Sequence, residues 1–192
     1  MRLLLLRHLP VQLPPGICYG ASDVAARPPT PTELAALRTA IGAVPTRVIS
    51  SPLRRCEALA TALVPGAPVV LDDRLKEINF GDWELRAWDD IDRAQIDAWA
   101  ASPWGYRMPG GECANDLRNR VLAALDDALQ QANQASVVQM LIVTHGGPLR
   151  VLRGHLLGLP QAQWLDGSCP PGGLLALART ADGRWQVAPD QP

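Results

Sequence analysis

Two apolar runs of strand length each stop at a histidine. Leu3-Leu4-Leu5-Leu6 ends at Arg7-His8, and Leu141-Ile142-Val143 ends at Thr144-His145-Gly146-Gly147. Uninterrupted runs this short read as strands buried on both faces, as in a parallel or mixed sheet under helices. Arg47–Ser51 and Val69–Leu71 read as two further strands. From Glu112 to Asn133 the period changes, with Leu117, Val121, Leu125 and Leu129 at three-to-four spacing, which predicts a long amphipathic helix. Shorter helices are expected over Glu33–Ile41, capped by Thr30 or Thr32, and over Pro52–Leu63, with Ser51 as cap and Pro52 in its first turn. Another is expected over Pro148–Leu157. Leu174–Ala178 and Trp185–Val187 form a closing hairpin across the turn Ala181-Asp182-Gly183. This alternation predicts an α/β fold, a three-layer α/β/α sandwich around a central, mostly parallel mixed sheet, with residues 1–192 as a single domain.

Two stretches break the pattern. Pro10, Pro14, Pro15 and Gly16 lead through Cys18-Tyr19-Gly20-Ala21-Ser22-Asp23 to Pro28, Pro29 and Pro31, too many breakers for regular structure. Between Trp83 and Gly111, four tryptophans and Tyr106 surround an acidic helical stretch, Asp89–Ala100. This excursion reads equally as a satellite hydrophobic cluster or as a lid shaping a substrate pocket.

Composition narrows the setting. The 192 residues are 47% hydrophobic, with 18 basic and 19 acidic side chains and a net charge of -1, so no basic surface for nucleic acid is expected. The Leu3–Leu6 run is too short for a signal-peptide core and nothing approaches a membrane span, so no membrane partner is expected. Cys18, Cys56, Cys113 and Cys169 lie far apart without a C-x-x-C pair, which reads as reduced thiols in a cytoplasmic protein. No feature bears on oligomeric state.

In open α/β sheets, ligands bind outside the carboxyl ends of the strands. His8 and His145 would share that rim, with Arg7 beside the first, which is a site for an anion such as phosphate. Phosphoryl transfer requires a nucleophile, cations around the equatorial oxygens and an acid for the leaving oxygen. His8 suits the first role, and Arg7 with the Arg54-Arg55 pair the second, aided by Ser51 or helix-start amides. For the acid, Glu77 sits among Leu75, Ile78 and Phe80, which would desolvate it; on the residues alone Asp82 and Glu84 rank nearly level with it. A zinc site from the two histidines and a carboxylate lacks any supporting ligand motif. His155 reads as structural and Cys18 as a buried small hydrophobe.

Five stretches taken in order carry a resemblance. They are Leu6-Arg7-His8; Ser51-Pro52-Leu53-Arg54-Arg55-Cys56; Leu75-Lys76-Glu77 continuing to Trp83-Glu84; Gly111-Glu112; and Val143-Thr144-His145-Gly146-Gly147. Together they resemble the histidine phosphatase superfamily, in its phosphoglycerate-mutase-like branch, over nearly the whole chain. Cys18–Asp23 and Phe80-Gly81-Asp82-Trp83-Glu84 further resemble bacterial α-ribazole phosphatases of cobalamin biosynthesis. The resemblance implies His8 as a nucleophile forming phosphohistidine, a phosphate pocket of Arg7, Arg55 and His145, and Glu77 as proton donor. The amides of Gly20 and Gly146 would line the pocket, and no metal or cofactor is implied. Leu9-Pro10-Val11 replaces the family's small residue, threonine and asparagine, which removes a side-chain donor that Ser22 would replace. Three readings follow: a metal-independent phosphatase on a small-molecule phosphate ester such as α-ribazole 5′-phosphate, a phosphoglycerate mutase or broad-specificity phosphatase, and a non-catalytic phosphate-binding module.

Overall fold

The computed structural model describes residues 1–189. Its strands are β1 Arg2–Arg7, β2 Arg47–Ser50, β3 Val69–Leu71, β4 Gln139–Thr144, β5 Leu174–Arg179 and β6 Trp185–Val187, in the order β3-β2-β4-β1-β5-β6. The pairs β1–β4, β4–β2 and β2–β3 are parallel, and β5 and β6 add an antiparallel edge. The helices are α1 Pro31–Ile41, α2 Arg54–Leu63, α3 Arg93–Ala101, α4 Ala114–Gln134 and α5 Gly146–Leu156.

Side chains alternate faces along a strand, so the leucine run of β1 feeds two cores. Leu3 and Leu5 pack with Leu117, Val121, Leu149 and Leu152 of α4 and α5. Leu4 and Leu6 pack with Ile41, Leu59 and Leu63 of α1 and α2. All four leucines are fully buried, and each such burial stabilises by about 1.5–3 kcal/mol. The strand that delivers Arg7 and His8 is thereby clamped from both sides. The three-layer sandwich expected from the alternating pattern is the architecture observed.

Connectivity places the site. After β1 the chain crosses to α1 on one face; after the adjacent β4 it enters α5 on the other. The crevice beyond the carboxyl ends of β1 and β4 is therefore a topological switch point, where open α/β sheets bind ligands.

Several boundaries differ from expectation. The helix expected from Pro52 begins at Arg54 with Leu53 as N-cap. Ser51 lies two residues before that cap, its hydroxyl accepting from Leu53 N at 3.3 Å and lying 2.8 Å from His145 Nε2. The Asp89–Ala100 helix splits into a 3-10 turn at Trp88–Asp90 and α3, since the Asp92 carboxylate accepts from Ala94 N and starts a new helix. α4 begins two residues later than expected, after Cys113, whose N–H donates to Asp116. α5 begins two residues early because His145 occupies its N-cap, leaving Pro148 in the first turn, where a missing N–H costs nothing. Thr30 rather than Thr32 caps α1, in a reciprocal box with Glu33.

The Trp83–Gly111 excursion builds its own core. Cys18, Trp83, Ile91 and Met108 are buried in it, with Phe80, Trp88, Trp99 and Tyr106 packed around them. Trp88 and Trp99 stack at 5.9 Å, as do Trp83 and Tyr106. Cys18 is a core residue, its thiol pushed up to about 12 by burial and then by Glu84. No helix among the described residues is long and apolar enough to cross a membrane.

Candidate active site

The parallel register sets Arg7 opposite Thr144, so the next residues, His8 and His145, leave the sheet side by side. His8 N donates to Thr144 O at 3.0 Å, and the two ring centroids are 5.1 Å apart. From the far side, Gly172 N donates to His8 O at 3.0 Å. The His8 ring is buried, with Nδ1 2.6 Å from Leu9 O. A carbonyl only accepts, so Nδ1 carries the proton and Nε2 keeps its lone pair. Leu9 itself is anchored in the core with Leu4 and Leu6. Burial lowers the His8 pKa, the Leu9 bond opposes this, and the charges of Arg55 and Arg7 lower it further, to about 3. At neutral pH the ring is uncharged, as an imidazole nucleophile must be.

Arg55 holds the other side of the rim and is 1% exposed. Its Nη2 donates to Gly20 O at 2.5 Å, Nη1 to Ser22 O at 2.7 Å and Nε to His145 Nδ1 at 3.1 Å. Because a guanidinium only donates, His145 Nδ1 accepts, and Nε2–H donates to Ser51 Oγ at 2.8 Å. His145 is held well below the ordinary histidine pKa by burial, then by Arg55, His8 and Arg7. His145 therefore reaches the expected rim as a neutral ring with both nitrogens engaged, rather than as a cation. Arg54 turns to the surface instead, where its backbone N and Nε bind the Asp23 carboxylate.

Arg7 donates from Nη1 to Cys169 O at 2.5 Å, while its buried Nε has no hydrogen-bond partner among the described residues. Leaving a buried donor unmatched costs about 1–3 kcal/mol, which an acceptor seated beside Arg7 would relieve. A Cβ on Gly146 would lie 3.3 Å from Arg7 Cζ and 3.5 Å from Arg150 Nη1, so two guanidinium groups flank this glycine. Beside them opens a cavity of about 190 Å³, with Glu77 and Arg150 set among Ile78, Phe80, Trp99 and Leu117. A cleft of about 310 Å³ around Ile41 and Val44 and one of about 710 Å³ along β5, from Arg2 to Leu174, are lined by neither histidine.

Glu77 lines the cavity of about 190 Å³ with Ile78 and Phe80 and also meets backbone donors that its neighbours in sequence did not announce. Both carboxylate oxygens lie 3.1 Å from Gly147 N at the start of α5, and Ile78 N also donates to Oε1. Only glycine permits this approach, because a Cβ on Gly147 would meet Glu77 Oε1 at 2.3 Å. The segment presenting Glu77 is held from behind by Arg120, which donates to the carbonyls of Arg74, Lys76 and Glu77 and to Glu112. Glu112 in turn accepts from Asn79 N at 2.9 Å. Sequence spacing singled out neither Arg120 nor Arg150. Arg118, two residues before Arg120, is half-buried and its guanidinium bonds to Asn119 instead, and nothing in the helix pattern separates the two.

Gly20 and Ser22 reach the site, but not with the groups expected. Gly20 N, Ser22 N and Ser22 Oγ all donate to Glu84, so neither residue offers the phosphate a free donor; their carbonyls hold Arg55 instead. Glu84 is likewise engaged as an acceptor for this loop rather than placed beside His8, and Asp82 packs against Gly110. His155 is exposed and packs edge-on against Trp164. Among the described residues no three His, Cys, Asp or Glu side chains are grouped to hold a metal ion.

Similarity to known proteins identifies the family. The family model for the histidine phosphatase superfamily, branch 1, matches residues 3–189. A glucosyl-3-phosphoglycerate phosphatase of Mycolicibacterium vanbaalenii is 33% identical over 62% of this chain and 57% of its own length. A probable phosphoglycerate mutase GpmB of Erwinia tasmaniensis is 36% identical over 60% of this chain and 54% of its own. The matched region thus spans little more than half of these curated relatives. Among solved structures, the α-ribazole phosphatase of Shigella flexneri superposes with a TM-score of 0.81 at 26% identity, covering 97% of this chain and 95% of that one. A mycobacterial glucosyl-3-phosphoglycerate phosphatase in complex with VO3 gives 0.79 at 26% identity, covering 97% and 96%. With a family model matched across nearly all its length, this chain belongs to the histidine phosphatase superfamily, branch 1.

Proposed function

We propose that this chain is a phosphomonoester hydrolase that works through a phosphohistidine at His8. The observation that carries this reading is a neutral His8 with its Nε2 lone pair unengaged, close to an Arg7 Nε that is buried without an acceptor. Arg7 and Arg55 hold the phosphoryl oxygens. His8 Nε2 attacks phosphorus, the bond to the leaving oxygen breaks, and Glu77 supplies that oxygen's proton. Water then attacks the phosphohistidine, Glu77 recovers a proton from it, and inorganic phosphate leaves with His8 neutral again. No metal is invoked. The enzyme works as a single domain in the cytoplasm, which the four free cysteines support.

The leaving group enters the cavity beside Glu77. Its aromatic wall of Phe80 and Trp99 supports a flat, nucleoside-like ester, α-ribazole 5′-phosphate. A second reading rests on Arg150, the other charged side chain lining this cavity with Glu77, which favours a carboxylate-bearing ester of the phosphoglycerate type.

The test is phosphate release from α-ribazole 5′-phosphate, 3-phosphoglycerate and p-nitrophenyl phosphate, with EDTA present. Turnover is expected, with an acid-labile phosphoenzyme that His8→Ala abolishes. Retained labelling in that variant would assign the nucleophile elsewhere, and isomerisation of 3-phosphoglycerate without phosphate release would make the protein a mutase. Glu77→Gln should slow alkyl esters far more than p-nitrophenyl phosphate, whose leaving group barely needs a proton.

A further inference from the structure

We propose that Glu84 is a positioning residue for phosphate binding, acting through the Gly20–Ser22 loop on Arg55. This rests on the reading of Arg55 as a phosphate ligand.

The Glu84 carboxylate accepts hydrogen bonds from five donors. Oε1 takes Ala21 N and Phe80 N, both at 2.9 Å; Oε2 takes Gly20 N at 3.0 Å, Ser22 N at 3.2 Å and Ser22 Oγ at 2.5 Å. Three successive amides turned to one carboxylate form an anion-binding concavity filled from within the protein. The same loop turns its carbonyls the other way, and those of Gly20 and Ser22 accept from Arg55 Nη2 and Nη1. Arg55 Nε then holds His145. One carboxylate therefore sets the loop, the loop sets the guanidinium plane, and the guanidinium sets the second histidine.

The loop packs closely against the Ile78–Glu84 segment. It lies in a stretch without helix or strand, and a Cβ on Gly20 would meet Ile78 O at 2.0 Å and Glu84 Oε1 at 2.9 Å. Among the described residues Arg55 forms no ion pair with a carboxylate; the Gly20 and Ser22 carbonyls take its two terminal nitrogens, with the Tyr19 ring 5.6 Å from its Cζ. A half-buried carboxylate this well matched stays ionised: burial raises its pKa, but the Ser22 hydroxyl and the Gly20, Phe80 and Ala21 amides outweigh it.

The experiment is a double-mutant cycle read by calorimetric binding of inorganic phosphate to the wild type, Glu84→Gln, Arg55→Met and the double variant. Whichever way a glutamine amide turns at position 84, its NH2 faces at least two donors. Losing the fixed, charge-assisted geometry should weaken phosphate binding about tenfold. If Glu84 acts through Arg55, Glu84→Gln adds no loss to Arg55→Met. Phosphate affinity unchanged in Glu84→Gln, or losses that multiply in the double variant, would overturn the proposal. Unchanged affinity in Arg55→Met would instead remove Arg55 from the phosphate site and the proposal with it. Should Glu84→Gln fail to fold, Ser22→Ala removes one donor of the five and is expected to weaken phosphate binding in the same non-additive way; additive loss there also refutes the link.

Discussion

Acidification from pH 7 to pH 5 tests whether His8 is held neutral. An ordinary histidine has a pKa of 6.5, whereas buried His8 is brought down to about 3. The sign follows from proton counting. Between those values the unfolded chain takes up a proton that the folded chain refuses, so stability is fully present above 6.5 and is lost as pH falls toward 3. From pH 7 to pH 5 the loss from His8 alone is about 2 kcal/mol, with a slope near pH 5 of about 1.3 kcal/mol per pH unit. Against a typical stability of about 5–15 kcal/mol this is readily measured. Carboxylates contribute little in this window, because their unfolded values lie near 4. His145 acts with the same sign and remains in the variant chosen. Urea unfolding of the wild type and His8→Asn at pH 7, 6 and 5 should therefore show the variant losing about 2 kcal/mol less than the wild type across the range. Parallel losses in the two proteins would falsify the neutral, buried His8 on which the nucleophile assignment depends.

Three further outcomes follow from packing. Gly147→Ala places a Cβ 2.3 Å from Glu77 Oε1 and 3.0 Å from Leu117 Cδ2, so the carboxylate must move. Hydrolysis of an alkyl phosphate should fall at least about tenfold and that of p-nitrophenyl phosphate much less, since only the former depends on the acid; equal rates for variant and wild type on the alkyl ester would separate Glu77 from acid catalysis. Thr30→Ala removes the reciprocal cap of α1, whose hydrogen bonds run to Glu33 and not to a residue of the site, and should cost about 1 kcal/mol in urea unfolding with KM unchanged. Arg120→Met strips the support behind Glu77 and leaves Glu112 without its cation, which should destabilise by about 3 kcal/mol; a cost within error of zero would mean that other contacts hold this segment.

The elements and the two histidines were legible in the chain because they follow from local rules. A leucine run of strand length, an apolar stripe at helical spacing and an Asp-Gly turn are properties of neighbouring residues, and the observed strands and long helix lie where those signals fall. That His8 and His145 share a rim needed only the parallel pairing of their strands. What the tertiary structure decided was the state and partners of each group. Gly20 and Ser22 read as donors to phosphate, yet their N–H and O–H groups are taken by Glu84, sixty-odd residues away, and only their carbonyls face Arg55. Glu77 read as an acid among apolar neighbours, and the fold adds Gly147 N from the first turn of a helix seventy residues on. Arg120 and Arg150 stood out from no other arginine until folding turned one toward the back of Glu77 and the other into its cavity. A hydrogen bond depends on distance and direction between residues remote in the chain. Hydrophobic periodicity selects which face is buried, but not which donor meets which acceptor once it is.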